Sequence, residues 1–212
     1  MELYPGLKQI VPSSLCLTCD VCCRFPEAES VLRPFFTGAE ISAIGSSAAF
    51  RFDDLRGGSK IHLSPHDDGC ICPYFDPVTQ HCKVYDVRPL DCRLYPFALL
   101  RDETGVAMLG IDTKCPYIQE HADDPQMARD ADSVWQFLES DPISALLAAH
   151  PDLIGPYQDD VILLRPLSLR GLASPPHRAK PNEPSPQRRC AAGDPNARIS
   201  PPDAPACDAR AV

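Results

Sequence analysis

Four cysteines fall within eight residues, Cys16-Leu-Thr-Cys19-Asp-Val-Cys22-Cys23, and no other feature of this 212-residue chain restricts its fold as tightly. Each CxxC step lets two thiolates turn toward one ion, because sulfurs about 2.3 Å from a tetrahedral zinc lie within roughly 4 Å of each other. One such step is weak evidence. Three ligand-like spacings in a segment that is not apolar do not read as a run of buried thiols. Side chains of adjacent residues project in different directions from a helix or a strand. Cys22 and Cys23 are therefore expected to serve different centres.

Nine of the 11 cysteines lie between Cys16 and Cys115, leaving only Cys190 and Cys207 outside that span. The later ones occur as Cys70-Ile-Cys72-Pro-Tyr-Phe, Cys82-Lys-Val-Tyr, Arg88-Pro-Leu-Asp-Cys92-Arg-Leu-Tyr-Pro-Phe and Lys114-Cys115-Pro. Their spacing alone does not separate ligand from buried thiol, but their neighbours do. Arg24, Lys83, Arg93 and Lys114 each sit directly beside a cysteine, where composition alone would place about one basic residue. Cations favour the thiolate and can surround an over-charged sulfur site, whereas inert thiols gain nothing from them.

Disulfides compete with metal sites to explain many cysteines, and the redox compartment decides between them. The opening MELYPGLKQIVPSSLC is broken by Pro5 and Pro12 and has no basic start followed by an apolar run, so it does not read as a secretory signal. No stretch approaches the roughly 20 apolar residues of a membrane span. These features predict a cytoplasmic protein whose thiols stay reduced. Net charge is −9; residues 165–212 contribute +4, leaving −13 on residues 1–164. An acidic body argues against nucleic acid as a partner.

From about Gly171 the chain turns to segments such as SPPHRAKPNEPSPQRR, which have little to bury and predict a disordered tail. The organisation expected is one domain over 1–165 and a tail over 166–212. Within the domain, Thr37-Gly-Ala-Glu40 spells a capping box and predicts a helix over 38–47. Residues 59–63 alternate as a strand. Residues 97–101 and 106–111 flank Asp102-Glu-Thr-Gly105 as a hairpin. A helix is expected over 126–140 with Met127, Ala131, Val134, Trp135 and Leu138 on one face, then a turn or two over 143–149 and a strand over 161–164. Residues 64–96 read mostly as loop. The fold class is α+β: a small, loop-rich, metal-stapled domain.

The run CxxCxxCC, followed by CPYFDPVTQHCKVYDVRPLDCRLYPF, resembles the YkgJ-like cysteine-cluster family, described as a zinc- or iron-chelating domain, over residues 14–117. Carried over position by position, the resemblance implies Cys16, Cys19, Cys22, Cys23, Cys72, Cys82, Cys92 and Cys115 as metal ligands. Cys70 is extra to that pattern. A similar cysteine pattern occurs in flagellin lysine N-methylases, which would imply an iron–sulfur enzyme, or an accessory subunit to one, in protein modification. Their longer sequence is not matched here. Eight thiolates suit two four-thiolate zinc sites, or a 4Fe–4S cluster with a second site. The main reading is a metal-binding protein offering a surface to a protein partner. Whether it catalyses anything stays open.

His62, His66 and His81 fall in the cysteine-rich half, but the eight thiolates already fill two sites, so they are not taken as ligands. Asp67-Asp68-Gly69 reads as a turn. Arg88-Pro89 ends a short turn, which would set Arg88 over the cluster or leave it a plain surface arginine. Tyr74, Phe75, Tyr85, Tyr95 and Phe97 are expected to form an apolar jacket around the site.

Overall fold

The structure, a computed structural model, describes residues 3–45, 50–55 and 58–169. The N-terminal segment pushes Tyr4, Leu7 and Val11 into the main core before a single helical turn, α1 (Ser13–Cys16). A 3-10 turn, Val21–Cys23, leads into β1 (Arg24–Phe25). Next come β2 (Phe35–Thr37) and α2 (Gly38–Ile44). The capping box forms as expected, with Glu40 N donating to Thr37 Oγ1 and Thr37 N donating to Glu40 Oε2. Residues 46 and 47 of the expected helix lie outside the described residues.

The expected strand at 59–63 is β4 (Gly58–Ile61), flanked by β3 (Phe52–Leu55) and β2 in the order β2-β4-β3. The stretch 64–96 is more ordered than expected. It holds β5 (Ser64–His66), β6 (Gly69–Ile71), β7 (Phe75–Asp76), β8 (His81–Cys82) and a short helix, α3 (Leu90–Leu94). Strands of two or three residues carry no measurable alternation, so nothing in the sequence flags them. The β1-β6-β5 sheet is antiparallel, and its turn puts Asp67 at φ 52°.

The C-terminal half follows the sequence closely. The hairpin β9 (Phe97–Arg101) and β10 (Ala107–Asp112) precedes α4 (Pro116–His121), α5 (Pro125–Glu139) and α6 (Asp141–Ala149). Asp124 caps α5 by accepting from Gln126 N at 2.7 Å, and α5 buries Met127, Val134 and Leu138. β11 (Val161–Pro166) completes the sheet β11-β10-β9. Packed structure continues to Leu167, which is buried and donates its N–H to Ala107 O. The expected disordered tail lies outside the described residues, and among the described residues no helix is long and apolar enough to cross a membrane.

Two separate hydrophobic cores result. The larger joins the N-terminal segment, α3, the β9–β11 sheet and helices α4 to α6. The smaller gathers Phe25, Phe36, Ile61, Ile71, Tyr74 and Phe75. Glu40, with no exposed surface, ties distant segments together: it accepts hydrogen bonds from the Tyr4 hydroxyl at 2.5 Å and from Leu90 N, the start of α3, at 2.6 Å.

Candidate metal centre

The cysteines reach one place by five routes, each set by local backbone. Cys16 closes α1, Cys19 follows it, and Cys22 and Cys23 share the 3-10 turn. β1 then pairs with β6 in the register Arg24↔Ile71, which sets Cys23 opposite Cys72, and Cys72 N donates to Cys23 O at 2.9 Å. Cys82 lies in β8 opposite Phe75, Cys92 is central in α3, and Cys115 is the N-cap of α4.

Cys16, Cys19, Cys22, Cys23, Cys72, Cys82 and Cys92 all line one cavity of about 370 Å³. Cys115 completes the group through its electrostatic contact with Cys19 and Cys22. These eight are the free cysteines of the described residues, and they coincide with the set carried over by resemblance. Cys70 is different: it is buried in β6 and disulfide-bonded, which departs from the expectation of reduced thiols at that one position. Tyr74, Phe75, Tyr85, Tyr95 and Phe97 border the same cavity, as the jacket reading required. Cys16 and Cys115 pack against the larger core, while Cys23, Cys72 and Cys82 pack against the smaller. The sulfurs thus occupy the seam between the two cores. Among the described residues, no three Cys, His, Asp or Glu side chains already stand in metal-coordinating geometry, so the thiols surround an open space rather than a closed tetrahedron. A cysteine sulfur changes position by rotation about χ1 among three staggered wells.

Burial dominates the thiol electrostatics. It raises the proton affinity of Cys16, Cys82, Cys92 and Cys115, and it pushes Cys72 up to about 12. Backbone N–H groups oppose this: those of Tyr74 and Phe75 at Cys72, Val84 at Cys82, and Tyr117 and Ile118 at Cys115. In both Cys72-Pro-Tyr and Cys115-Pro-Tyr the residues after proline turn their amides on the sulfur, an arrangement that stabilises a thiolate. A hydrogen bond between the two thiols lowers Cys22 and raises Cys23. Their side chains therefore meet rather than diverge. The general rule for adjacent residues fails here because the 3-10 turn ends at Cys23, beyond which Arg24 is extended.

Three of the four cations beside cysteines are engaged by oxygen partners. Arg24 pairs with Asp20 and Asp67, Lys114 with Asp160, and Lys83 reaches Pro73 O at 3.5 Å. Arg93 lies over the Tyr4 ring. Arg88 is the cation that does reach the cluster, its Nη1 donating to Cys16 Sγ at 3.6 Å. It is held by its stacking on Tyr85, at 3.9 Å to the ring centroid, and by Nη2 donating to Gln9 Oε1 at 3.0 Å. Its charge favours the thiolates of Cys16, Cys22 and Cys82. Gln9 gave no sequence signal, being a lone polar residue far upstream. His62 pairs with Asp53 at 2.6 Å and His66 with Asp67 at 2.9 Å.

A pocket lined by seven cysteines inside a small α+β fold points to a thiolate metal-chelating class, since soft donors of this kind suit zinc, iron and iron–sulfur clusters and disfavour hard cations. Comparison by family agrees: residues 15–119 match the model of the CxxCxxCC family, described as a putative zinc- or iron-chelating domain, and this segment belongs to that family. No curated protein and no solved structure matches the chain.

Proposed function

We propose that the chain is a metal-binding protein in which Cys16, Cys19, Cys22, Cys23, Cys72, Cys82, Cys92 and Cys115 hold zinc or iron at the seam of the two cores. One observation carries the reading: seven of the eight free thiols line a single cavity, and the eighth, Cys115, lies beside Cys19 and Cys22, so that five chain segments converge there. Bound metal would supply the positive charge that these buried sulfurs lack. Without it burial keeps most of them protonated, so uptake releases protons and strengthens as pH rises. Arg88 and the backbone amides at Cys72, Cys82 and Cys115 lower the cost of ionising the sulfurs before the metal arrives. The iron–sulfur enzyme alternative has no observation of its own behind it. Eight free thiols fit the expected cytoplasmic location, whereas the disulfide at Cys70 does not.

Anaerobic purification, elemental analysis and an absorption spectrum test the proposal together. A stoichiometric metal content of zinc or iron is expected, with a visible band only if iron is bound. A protein that takes up neither metal, and whose eight thiols react freely with a thiol reagent, overturns it.

A further inference from the structure

Cys70 stands apart from the metal centre. It is buried in β6 and disulfide-bonded, whereas the eight other cysteines up to Cys115 are free. The chain has 11 cysteines, so a partner within it must be Cys190 or Cys207, both outside the described residues. Cys70 also borders a second cavity of about 480 Å³, lined with Arg24, Phe25, Pro26, Glu27, His66 and Asp68. The two cations of that wall are engaged, because Arg24 Nη1 and His66 Nδ1 both meet Asp67 Oδ2, at 3.3 and 2.9 Å. The remaining charged groups are the carboxylates of Glu27 and Asp68, so the cavity offers negative charge to an occupant.

Reach does not separate the two candidates: Cys190 is 21 positions beyond Leu169, an extended span of roughly 70 Å, and Cys207 is further still. Charge does separate them. Cys190 follows Arg188 and Arg189 directly, whereas Cys207 is followed by Asp208. We infer that residues 188–190 dock on this cavity, with Cys190 bonded to Cys70 and the two arginines facing Glu27 and Asp68. The bond forms by exchange: a small disulfide takes two electrons and both thiol protons and leaves as two thiols, and a reducing dithiol reverses the step. Phe25 of β1 is opposite Cys70, so the bond pins the basic end of the chain to the strand pair that runs between Cys23 and Cys72. Reduction releases it. The inference stands independently of the metal-binding reading.

The full chain, equilibrated in a buffer of oxidised and reduced glutathione, is denatured, its free thiols are blocked with N-ethylmaleimide, and it is digested with trypsin without reduction. Trypsin separates the three sites: Cys70 falls in residues 61–83, Cys190 in 190–198 and Cys207 in 199–210. A disulfide from Cys70 to the 190–198 peptide is expected in the wild-type chain and in Cys207→Ser. In Cys190→Ser, Cys70 should carry the blocking group instead. Glu27→Gln combined with Asp68→Asn should lower the equilibrium constant of the bond against glutathione by roughly two- to fivefold, the range for exposed ion pairs. Cys70 blocked in the wild-type chain, or joined to any peptide but 190–198 or to a second chain, overturns the inference. An unmoved equilibrium in the double variant overturns it as well, because the bond would then have no docking surface behind it.

Discussion

Arg88 differs from the cations adjacent to cysteines in being fixed from two sides, by the Tyr85 ring and by Gln9, before it touches Cys16. A prepositioned guanidinium loses little freedom when it engages a thiolate. Arg88→Gln should therefore leave the fold intact and weaken zinc binding by about tenfold. The deficit should widen as pH falls, because Cys16, Cys22 and Cys82 would then hold their protons harder. Competition titrations against a chromophoric chelator at two pH values would show it, and equal affinities would remove Arg88 from the site. Burial of the thiols has a consequence with the opposite sign in the metal-free protein. Cys72 is raised from 9.0 to about 12. Its neutral form therefore contributes stability below pH 9, on the order of a few kcal/mol, that is lost as pH climbs through 12. Denaturant unfolding of the metal-free chain should give falling midpoints across that window. The metal-loaded protein should instead weaken toward acid, as protons displace the metal.

Elements here are held in place by a few buried polar contacts. Glu40 shows this best, accepting from Tyr4, Thr37 and Leu90 while fully covered. Glu40→Gln puts an amide N–H₂ among donors and should cost about 3 kcal/mol in denaturant unfolding. Because Leu90 begins the helix that carries Cys92, the same substitution should also lower metal affinity, and an unchanged affinity would separate the two roles. The capping box made α2 legible in sequence, and the face of α5 was legible from its apolar period. Glu40's second role was not, since no local pattern announces a hydrogen bond to a residue 50 positions away. The turn at Asp67-Asp68-Gly69 was legible for a reason that proved only half right. The left-handed residue is Asp67, whereas Gly69 is needed because a Cβ there would stand 2.7 Å from Phe25 O and keep β1 off β6. The ligand cysteines were legible from motif and resemblance. Gln9, which holds Arg88 at the site, was not, because its role depends on a fold that brings residues 79 positions apart together.

At the scale of the whole molecule, the sequence suggested a loop-rich domain stapled together by its metal. The two cores divide that expectation. Phe97–Asp112 belongs to the larger core, which has many buried apolar side chains of its own. The smaller core meets the sulfurs through Cys23, Cys72 and Cys82. Chelation should therefore release β1, β5 and β6 first, while the β9–β11 sheet and helix α5 stay protected. Amide hydrogen exchange, with and without a chelator, would read this residue by residue. Uniform loss of protection would restore the view of folding and binding as one event.

The order in which the sulfurs occur along the chain also sets a timetable for synthesis. Cys16, Cys19, Cys22 and Cys23 leave the ribosome together, and 49 positions separate Cys23 from Cys72. At roughly 5–20 residues per second, the first four thiols wait a few seconds for their next companion and longer for Cys115. A nascent chain thus exposes a complete four-thiolate set before the seam that will enclose it exists. Any ion captured in that interval must still be able to trade ligands as each later cysteine arrives, which favours a loading step late in translation or an ion held loosely at first.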